Sequence, residues 1–551
     1  MRGEAEISHE SDRPENTPAA AVTTVDPESS ASGASTTPLL EESVLEEQKA
    51  NSPEHQKYVG VGIFRFRFSL ANFRLDSTFA ERRFSITEAA LLLMMAYLAS
   101  RGLGVVRQTI FNALFGTGPE ANAYYAAARL PDTLFDLIAG GALTHALIPV
   151  FVSYEKDNGR REAWRLVSLV FNVLLVILTT VVLIGEFLTP AFVTHLLVPG
   201  YTPQEQALVA SLTRIILVQP LILGLGTIAT AVLSSKRQFL LPALSIAIYN
   251  TGLIGGLLFS LAIPGVGIYG PTFGVIAAAA VQVLIQIPGL IKQGLHYSFI
   301  WNLTHPGLRQ VMRLLGPNAL SVGIASTALI LDTAYASYLP DKSSLAALHN
   351  AQMIFALPVA LLAQAVAQAA LPQMSDLAAS ARYILFRKLV IKVIGAAVLL
   401  SVPCAIGLYL FGKPAIHILF QHGAFNRHST ELTALALFGY AVGLPGTIAG
   451  ELLVRGFYAL KDARTPLFTN IFALAAHLGL IIILLRIMIG TSIILAIPLA
   501  AASAATAEAF LLLTLLSFRL RAKVKMEKAK QAEEQVDEFA DELDDPEAEI
   551  L

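Results

Sequence analysis

Between Ser100 and Pro149 an otherwise apolar stretch carries Arg101, Arg107, Arg129, Asp132 and Asp136. One Arg or Asp at the bilayer centre costs roughly 2.5–3.5 kcal/mol on insertion scales, so such groups usually face a wet cavity or a partner. Guanidinium grips phosphate through two parallel N–H donors, so a cavity with more fixed arginines than carboxylates suits an anionic substrate. Asp132 and Asp136, spaced i and i+4, share one helix face. Structural alternatives stand beside this reading: Arg129 can pair internally with Asp132, and groups near helix ends can snorkel to the interface. Arg214 and Asp332 lie inside further apolar segments.

Composition requires that these charges sit in a membrane. Of 551 residues, 54% are hydrophobic and 15% charged, with mean hydropathy +0.60. Those values place the chain among all-α polytopic membrane proteins. Its net charge is −2, but the charges are segregated. The single cysteine, Cys404, excludes an intrachain disulfide and fits a small core residue. No secretory leader opens the chain. Residues 1–57 hold 11 acidic residues in the first 50 and few aromatics, which predicts a disordered tail. In residues 58–84 Phe alternates with Arg, the pattern of a juxtamembrane segment on anionic headgroups. The last 26 residues again hold 11 acidic residues, so residues 521–551 are expected to be a solvated, disordered tail.

From Ile86 onward twelve apolar segments are long enough to span, a span needing about 20 residues. They cover 86–115, 122–153, 164–189, 205–233, 238–262, 268–291, 308–336, 345–373, 384–411, 430–457, 465–487 and 491–518. With no water to satisfy backbone groups, each must be helical. The connections on one side, with the flanking ends, hold 26 Lys and Arg against four on the other. That asymmetry predicts both termini in the cytoplasm. The halves also echo each other: Tyr201, Leu208, Gly226, Arg237 and Pro242 recur 224 residues on as Phe425, Leu432, Gly450, Lys461 and Pro466. The echo points to a parallel duplication: a six-helix lobe over 85–300 and a second over 301–520. Transporters so built hold substrate between the halves near the midplane.

Measured from Ala89, Arg101 lies twelve residues into the first span, roughly 18 Å deep in a core of about 30 Å. Arg107 falls in the outer half. Pro220, Pro358, Pro372, Pro403 and Pro445 interrupt other spans, as hinges or as static kinks. His145, His349 and His477 lack metal-like spacing, and packing is the expected role. There is no phosphate-cradling Gly loop, nucleophile triad or cysteine cluster, so neither an enzyme nor a cofactor is expected. The bilayer is an expected partner, and nucleic acid is not.

SRGLGVVRQ, ANAYYAAARLPD and GGALTHALIPVF, with LFQHGAF and RGFYALKDARTP further on, carry a resemblance over residues 85–520. The chain resembles the MurJ/MviN family, bacterial lipid II flippases of the multidrug/oligosaccharidyl-lipid/polysaccharide exporter superfamily. The resemblance implies two lobes alternating between inward and outward forms in the bacterial cytoplasmic membrane. Between them lies a cationic cavity for a lipid-linked pyrophosphate sugar, with membrane potential as the driving force. The family's first-helix arginines match Arg101 and Arg107, its basic residue before Leu-Pro matches Arg129, and Asp332 matches an Asp of many members. Other positions depart from the pattern. Asn122 stands for an acidic residue before the paired aromatics, Phe135-Asp136 for an arginine pair, and Met353 for an arginine of the eighth helix. Many members also have fourteen helices. The substrate-binding set expected here is thus Arg101, Arg107, Asn122, Arg129, Asp136 and Asp332. Two other readings remain open on the same residues: export of a different, cationic or small solute, and a transport-inactive scaffold for cell-wall synthesis proteins.

Overall fold

The computed structural model describes residues 86–138, 141–263 and 265–544, and these contain helices and turns but no strand. The tail 1–57 and the Phe/Arg segment 58–84 lie outside the described residues. The helices are α1 (Ile86–Phe115), α2 (Pro119–Ile138), α3 (Gly141–Phe192), α4 (Pro203–Ile216), α5 (Val218–Ser235), α6 (Leu240–Ala262), α7 (Tyr269–Leu284) and α8 (Ile287–Lys292). The second half contributes α9 (Pro306–Ser337), α10 (Ser344–Val359), α11 (Ala365–Ala379), α12 (Tyr383–Phe420), α13 (Arg427–Val442), α14 (Leu444–Ala459), α15 (Arg464–Ile487) and α16 (Ala496–Asp544). Among the described residues eight helices are long and apolar enough to cross a membrane, or nine if the bent pair α13–α14 is one span. Three helices outside that set, α1, α2 and α9, hold all the expected site residues.

The 224-residue echo is visible in the backbone. Helices α4 and α13 begin at Pro203 and Arg427, and α6 and α15 at Leu240 and Arg464, each pair 224 residues apart. Thr202 and Asn426 occupy the matching N-cap positions, where a side-chain oxygen satisfies an orphan N–H of the first turn. Thr202 does so in a capping box with Glu205, and Asn426 Oδ1 accepts from Ser429 N–H at 2.9 Å. The basic turns repeat as well: Arg237 and Lys461 both take the left-handed conformation, each with φ 58°.

Chain reversals gather at two ends, and the ends differ. At the end carrying the basic turns, the polar pairs among the described residues stay inside each half. Lys236 pairs with Glu155 and Arg160 bonds the Gln293 carbonyl; in the second half Arg519 pairs with Asp462. Helix α9 is the exception, laying Leu308 and Val311 into a first-half core with Leu147, Trp164 and Val232. The core of the second half at this end, with Met374, Phe386, Phe457 and Leu512, takes nothing from the first.

At the opposite end one core draws on both halves, joining Phe111, Ala123, Val209 and Leu253 to Ala346, Phe420 and Leu432. Polar links close it further. Ala424 N–H donates to the Ala113 carbonyl at 2.8 Å, the hydroxyls of Thr117 and Ser429 meet at 2.7 Å, and Gly200 N–H donates to Ser337 Oγ at 3.0 Å. Gly116 and Gly423 permit this approach. Their φ values are 60° and 57°, and a Cβ on either would meet the other strand's backbone, Ala424 and Ala113 respectively.

Residues 521–544 depart from the expected disorder. Helix α16 runs on to Asp544. Ala, Lys, Glu and Gln dominate this stretch and are strong helix formers, so charge did not prevent order. Its base is tied down: Ile384 N–H donates to Glu527 at 2.8 Å, and Lys523 lies 4.5 Å from the Tyr383 ring centroid.

Candidate functional site

Arg107 projects from α1 into a cavity of about 130 Å³ roofed by the sealed end. Tyr124, Asp132, Gln219, Tyr249 and His349 line it with Arg107. At about 30 Å³ per water it holds a small cluster of waters or a compact polar group. Sequence dictates much of this placement. Positions 124, 128 and 132 follow one another on a single face of α2, so Tyr124, Ala128 and Asp132 face the cavity together. His349 lies against Tyr125, ring centroids 3.9 Å apart and planes 21° from parallel. Gln219 Nε2 donates to the Tyr249 hydroxyl at 3.2 Å.

Directly above Arg107, a buried amide network ties the halves. Gln108 Nε2 donates to Tyr125 Oη at 2.5 Å and to Asn350 Oδ1 at 2.9 Å, and Asn112 Nδ2 donates to the same Asn350 oxygen at 2.9 Å. Asn350 sits 242 residues from Gln108 in the chain. A buried amide network fixes one register of the helices it joins, because any slip leaves donors unpaired. Nothing in the local sequence marked Gln108, Asn112 or Asn350; only their polarity inside apolar segments hinted at them.

The expected set does not converge on one point. Arg101 is exposed and lines no cavity with Arg107. Six residues at 100° each put the two about 120° apart around α1. Arg129 bridges the halves, its Nε donating to Thr333 Oγ1 on α9 at 3.2 Å. Neither Arg101, Arg107 nor Arg129 forms an ion pair among the described residues, so the alternative of an internal pair between Arg129 and Asp132 is not made. Asp136 is exposed, one turn beyond Asp132. Asn122 is buried and fully engaged. Its Nδ2 donates to the carbonyls of Thr117, Gly118 and Lys342, and its Oδ1 accepts from Ala346 N–H at 2.7 Å. That clasp fastens the start of α2 to the start of α10.

Asp332 belongs to a second, larger cavity of about 590 Å³ in the other half. Its Oδ1 lies 2.6 Å from His477 Nε2 on α15. Glu451, Arg455, Tyr440 and Glu508 line the same chamber. His477 was expected only to pack, yet it partners a site carboxylate 145 positions away.

Two helical halves sealed at one end, parted at the other and walled by an unpaired arginine describe a multi-pass membrane transporter. The comparisons agree. The family model "Lipid II flippase MurJ" matches residues 111–533. The lipid II flippase MurJ of Burkholderia cenocepacia is 30% identical over 387 residues, 68% of this chain and 74% of that one. The chain belongs to the lipid II flippase MurJ family, and is a transporter rather than an enzyme. Among solved structures, a MurJ in an inward closed conformation superposes with TM-score 0.66 at 24% identity, covering 78% of this chain and 87% of the other. An inward-facing multidrug-resistance transporter of the MATE family, in the MOP superfamily, gives 0.65 at 14% identity, covering 79% and 98%. Both likenesses concern the fold.

Proposed function

We propose that this protein carries lipid II, or a close polyprenyl-pyrophosphate-linked relative, from the inner to the outer leaflet of the bacterial cytoplasmic membrane. The observation that carries the reading is Arg107: a guanidinium without an anion partner, on a cavity wall, beneath a seal that joins the halves. A half-buried charge without a partner is costly to keep and is used when an anionic ligand completes it. Arg107 binds the pyrophosphate in this reading, and Arg129 holds α9 close by. Arg101 and Asp136 flank the entrance, and Asn122 keeps the roof in register. Asp332 acts from the other half.

Twelve spans in two parallel six-helix lobes, with both ends in the cytoplasm, are part of the same reading. So is a resting form open to the cytoplasm, supported by cores and ion pairs that, among the described residues at the basic end, stay within each half apart from α9. Cell-wall synthesis proteins are the partners assigned to the polar ends, residues 1–57 and 521–551. The test is complementation of a strain depleted of its own lipid II flippase. Growth is expected with the unaltered chain and lost with Arg107→Ala at equal membrane abundance. No growth from the unaltered, membrane-inserted chain overturns lipid II as substrate.

A further inference from the structure

The segment that joins the two halves turns an apolar row away from the protein. Between α8 and α9, residues 295–302 are neither helix nor strand, and their exposure alternates. Tyr297, Phe299, Trp301 and Leu303 stand outward at 51–83% exposure, while Ser298 and Ile300 turn in toward α3. A period of two is that of an extended strip with one face on the protein and one face off it. Two buried polar side chains of α3 hold the strip. Ser298 N–H donates to Ser168 Oγ at 3.1 Å, Asn172 Nδ2 donates to the Ile300 carbonyl at 3.1 Å, and Tyr297 Oη donates to Asn172 Oδ1 at 2.8 Å. Ile300 packs on the first-half core, and the Tyr297 ring meets Phe171 edge-on, centroids 5.9 Å apart.

Depth and chemistry both suit a lipid surface. Ser168 and Asn172 lie three and seven residues past Arg165, the last basic residue of that turn, so at 1.5 Å per residue the strip sits about 5–10 Å deeper than the charge. That is the headgroup–acyl boundary, where aromatic rings with a polar edge are favoured. Irregular backbone at such a depth must find partners within the protein, and Ser168 and Asn172 supply them on the inner side. No Asp or Glu occurs between Glu205 and Asp332, so the strip and its flanks offer nothing that repels phosphate. Arg309 and Arg313 are exposed on the first two turns of α9. Four large apolar side chains on one face mark an interaction surface. Exposed apolar residues follow farther along α3, at Val176 and Ile177, and this continuity with a spanning helix selects the bilayer over a soluble partner.

We propose that Tyr297, Phe299, Trp301 and Leu303 insert into the headgroup–acyl boundary of the leaflet at the basic end, making the connection between the halves a lipid-docking strip. Its partner is the phospholipid of that leaflet. Because the strip is held to α3, insertion fixes the first half at one depth and leaves the join to α9 anchored rather than free. Asn302 and His305 complete that anchorage. Asn302 Oδ1 accepts from Thr304 N–H at 3.0 Å, and His305 Nδ1 accepts from Gly307 N–H at 3.2 Å at the start of α9. The strip is independent of which substrate the cavities take.

The chain has two tryptophans, and they make the test direct. Trp164 is buried in the first-half core, so the difference between the parent and Trp301→Phe reports Trp301 alone. The full chain is placed in nanodiscs whose phospholipids carry bromine either near the headgroup or near the chain end, and iodide is added to the water. Trp301 emission is expected to fall by about half or more with shallow bromine, less with deep bromine and little with iodide, as an interfacial depth of about 5–10 Å requires. Quenching by iodide without quenching by bromine places the strip in water and overturns the proposal. Quenching by neither means that a second copy or another protein covers the row, and overturns it as well. Asn172→Ala releases one hold on the strip, and shallow quenching should weaken in it. Unchanged quenching in that variant overturns the part assigned to α3.

Discussion

The two cavities occupy related halves and have opposite chemistry. The first is small and presents Arg107 among aromatic and amide groups; the second is over four times larger and presents three carboxylates with an Asp–His pair. Backbone landmarks recur at 224 residues, including the N-caps and the left-handed basic residues, so the scaffold was kept while the linings diverged. Each half therefore presents its own lining on matching helix starts, a lone guanidinium in one and mostly carboxylates in the other. Helix α9 stands between them, with Asp332 on the second cavity and the next residue, Thr333, bonded to Arg129.

The comparison breaks most readily at Arg107. Replacing it by Ala removes charge-assisted hydrogen bonds worth about 1.5–3 kcal/mol. Substrate affinity should fall about ten- to a hundredfold and complementation be lost, with thermal stability unchanged or raised. Arg101→Ala is expected to cost far less, since that side chain points elsewhere on α1. Equal defects in the two variants, measured at matched abundance, would show that the cavity division drawn here is wrong.

Next in size is the seal. Alanine at Gly116 or Gly423 must adopt the left-handed conformation, at about 1–2 kcal/mol, and push on the facing backbone. The sealed form should lose population by about 5- to 30-fold. Spin labels placed on the turns after α1 and α12 would report a longer distance, while labels on the basic turns would report a shorter one. Loss of expression without any change of distances would mean that the glycines serve folding alone.

How far the sequence reached follows from the same residues. Apolar segments, basic turns and the internal echo depend on local composition or fixed spacing; helices, left-handed turns and N-caps answer to them, whereas the twelve expected spans stand against eight or nine helices of spanning length among the described residues. The arginines were legible as types, because charge in an apolar run stands out. Their convergence was not, because six residues along α1 turn a side chain to another face. Pairings across long chain separations were also hidden: His477 with Asp332, and Asn350 with Gln108. Asn122 illustrates a further limit. Alignment to a motif marked it for substrate, but its four hydrogen bonds fasten two helix starts.

Asn122 therefore yields a middle-sized prediction that sharpens the boundary between lining and support. Asn122→Ala leaves the Ala346 N–H and the Thr117 and Lys342 carbonyls short of a partner, while the Gly118 carbonyl keeps the backbone N–H of residue 122, at about 1–3 kcal/mol in all. A lower melting temperature in detergent is expected, with activity per surviving molecule retained. Normal melting with weakened substrate affinity would return Asn122 to the binding set.

The smallest effect lies at the basic end, where each half is held separately. Burial opposes ionisation of Asp462, but hydrogen bonds from Thr465 and Arg464 N–H, with Arg519 alongside, outweigh it and keep the carboxyl below its usual range. A carboxyl so lowered adds stability above its unfolded value near 3.9, and that stability drains away as pH falls through the lowered value. At neutral pH Asp462→Asn should cost about 1 kcal/mol, the scale of one net hydrogen bond. The gap between variant and parent should narrow in melts taken below about pH 4. Because this clasp joins α14, α15 and α16 within one half, distances across the cleft should not change. A change there would mean that the second half does not move as a unit, and the contrast between a rigid acidic lobe and a rigid cationic one would need redrawing.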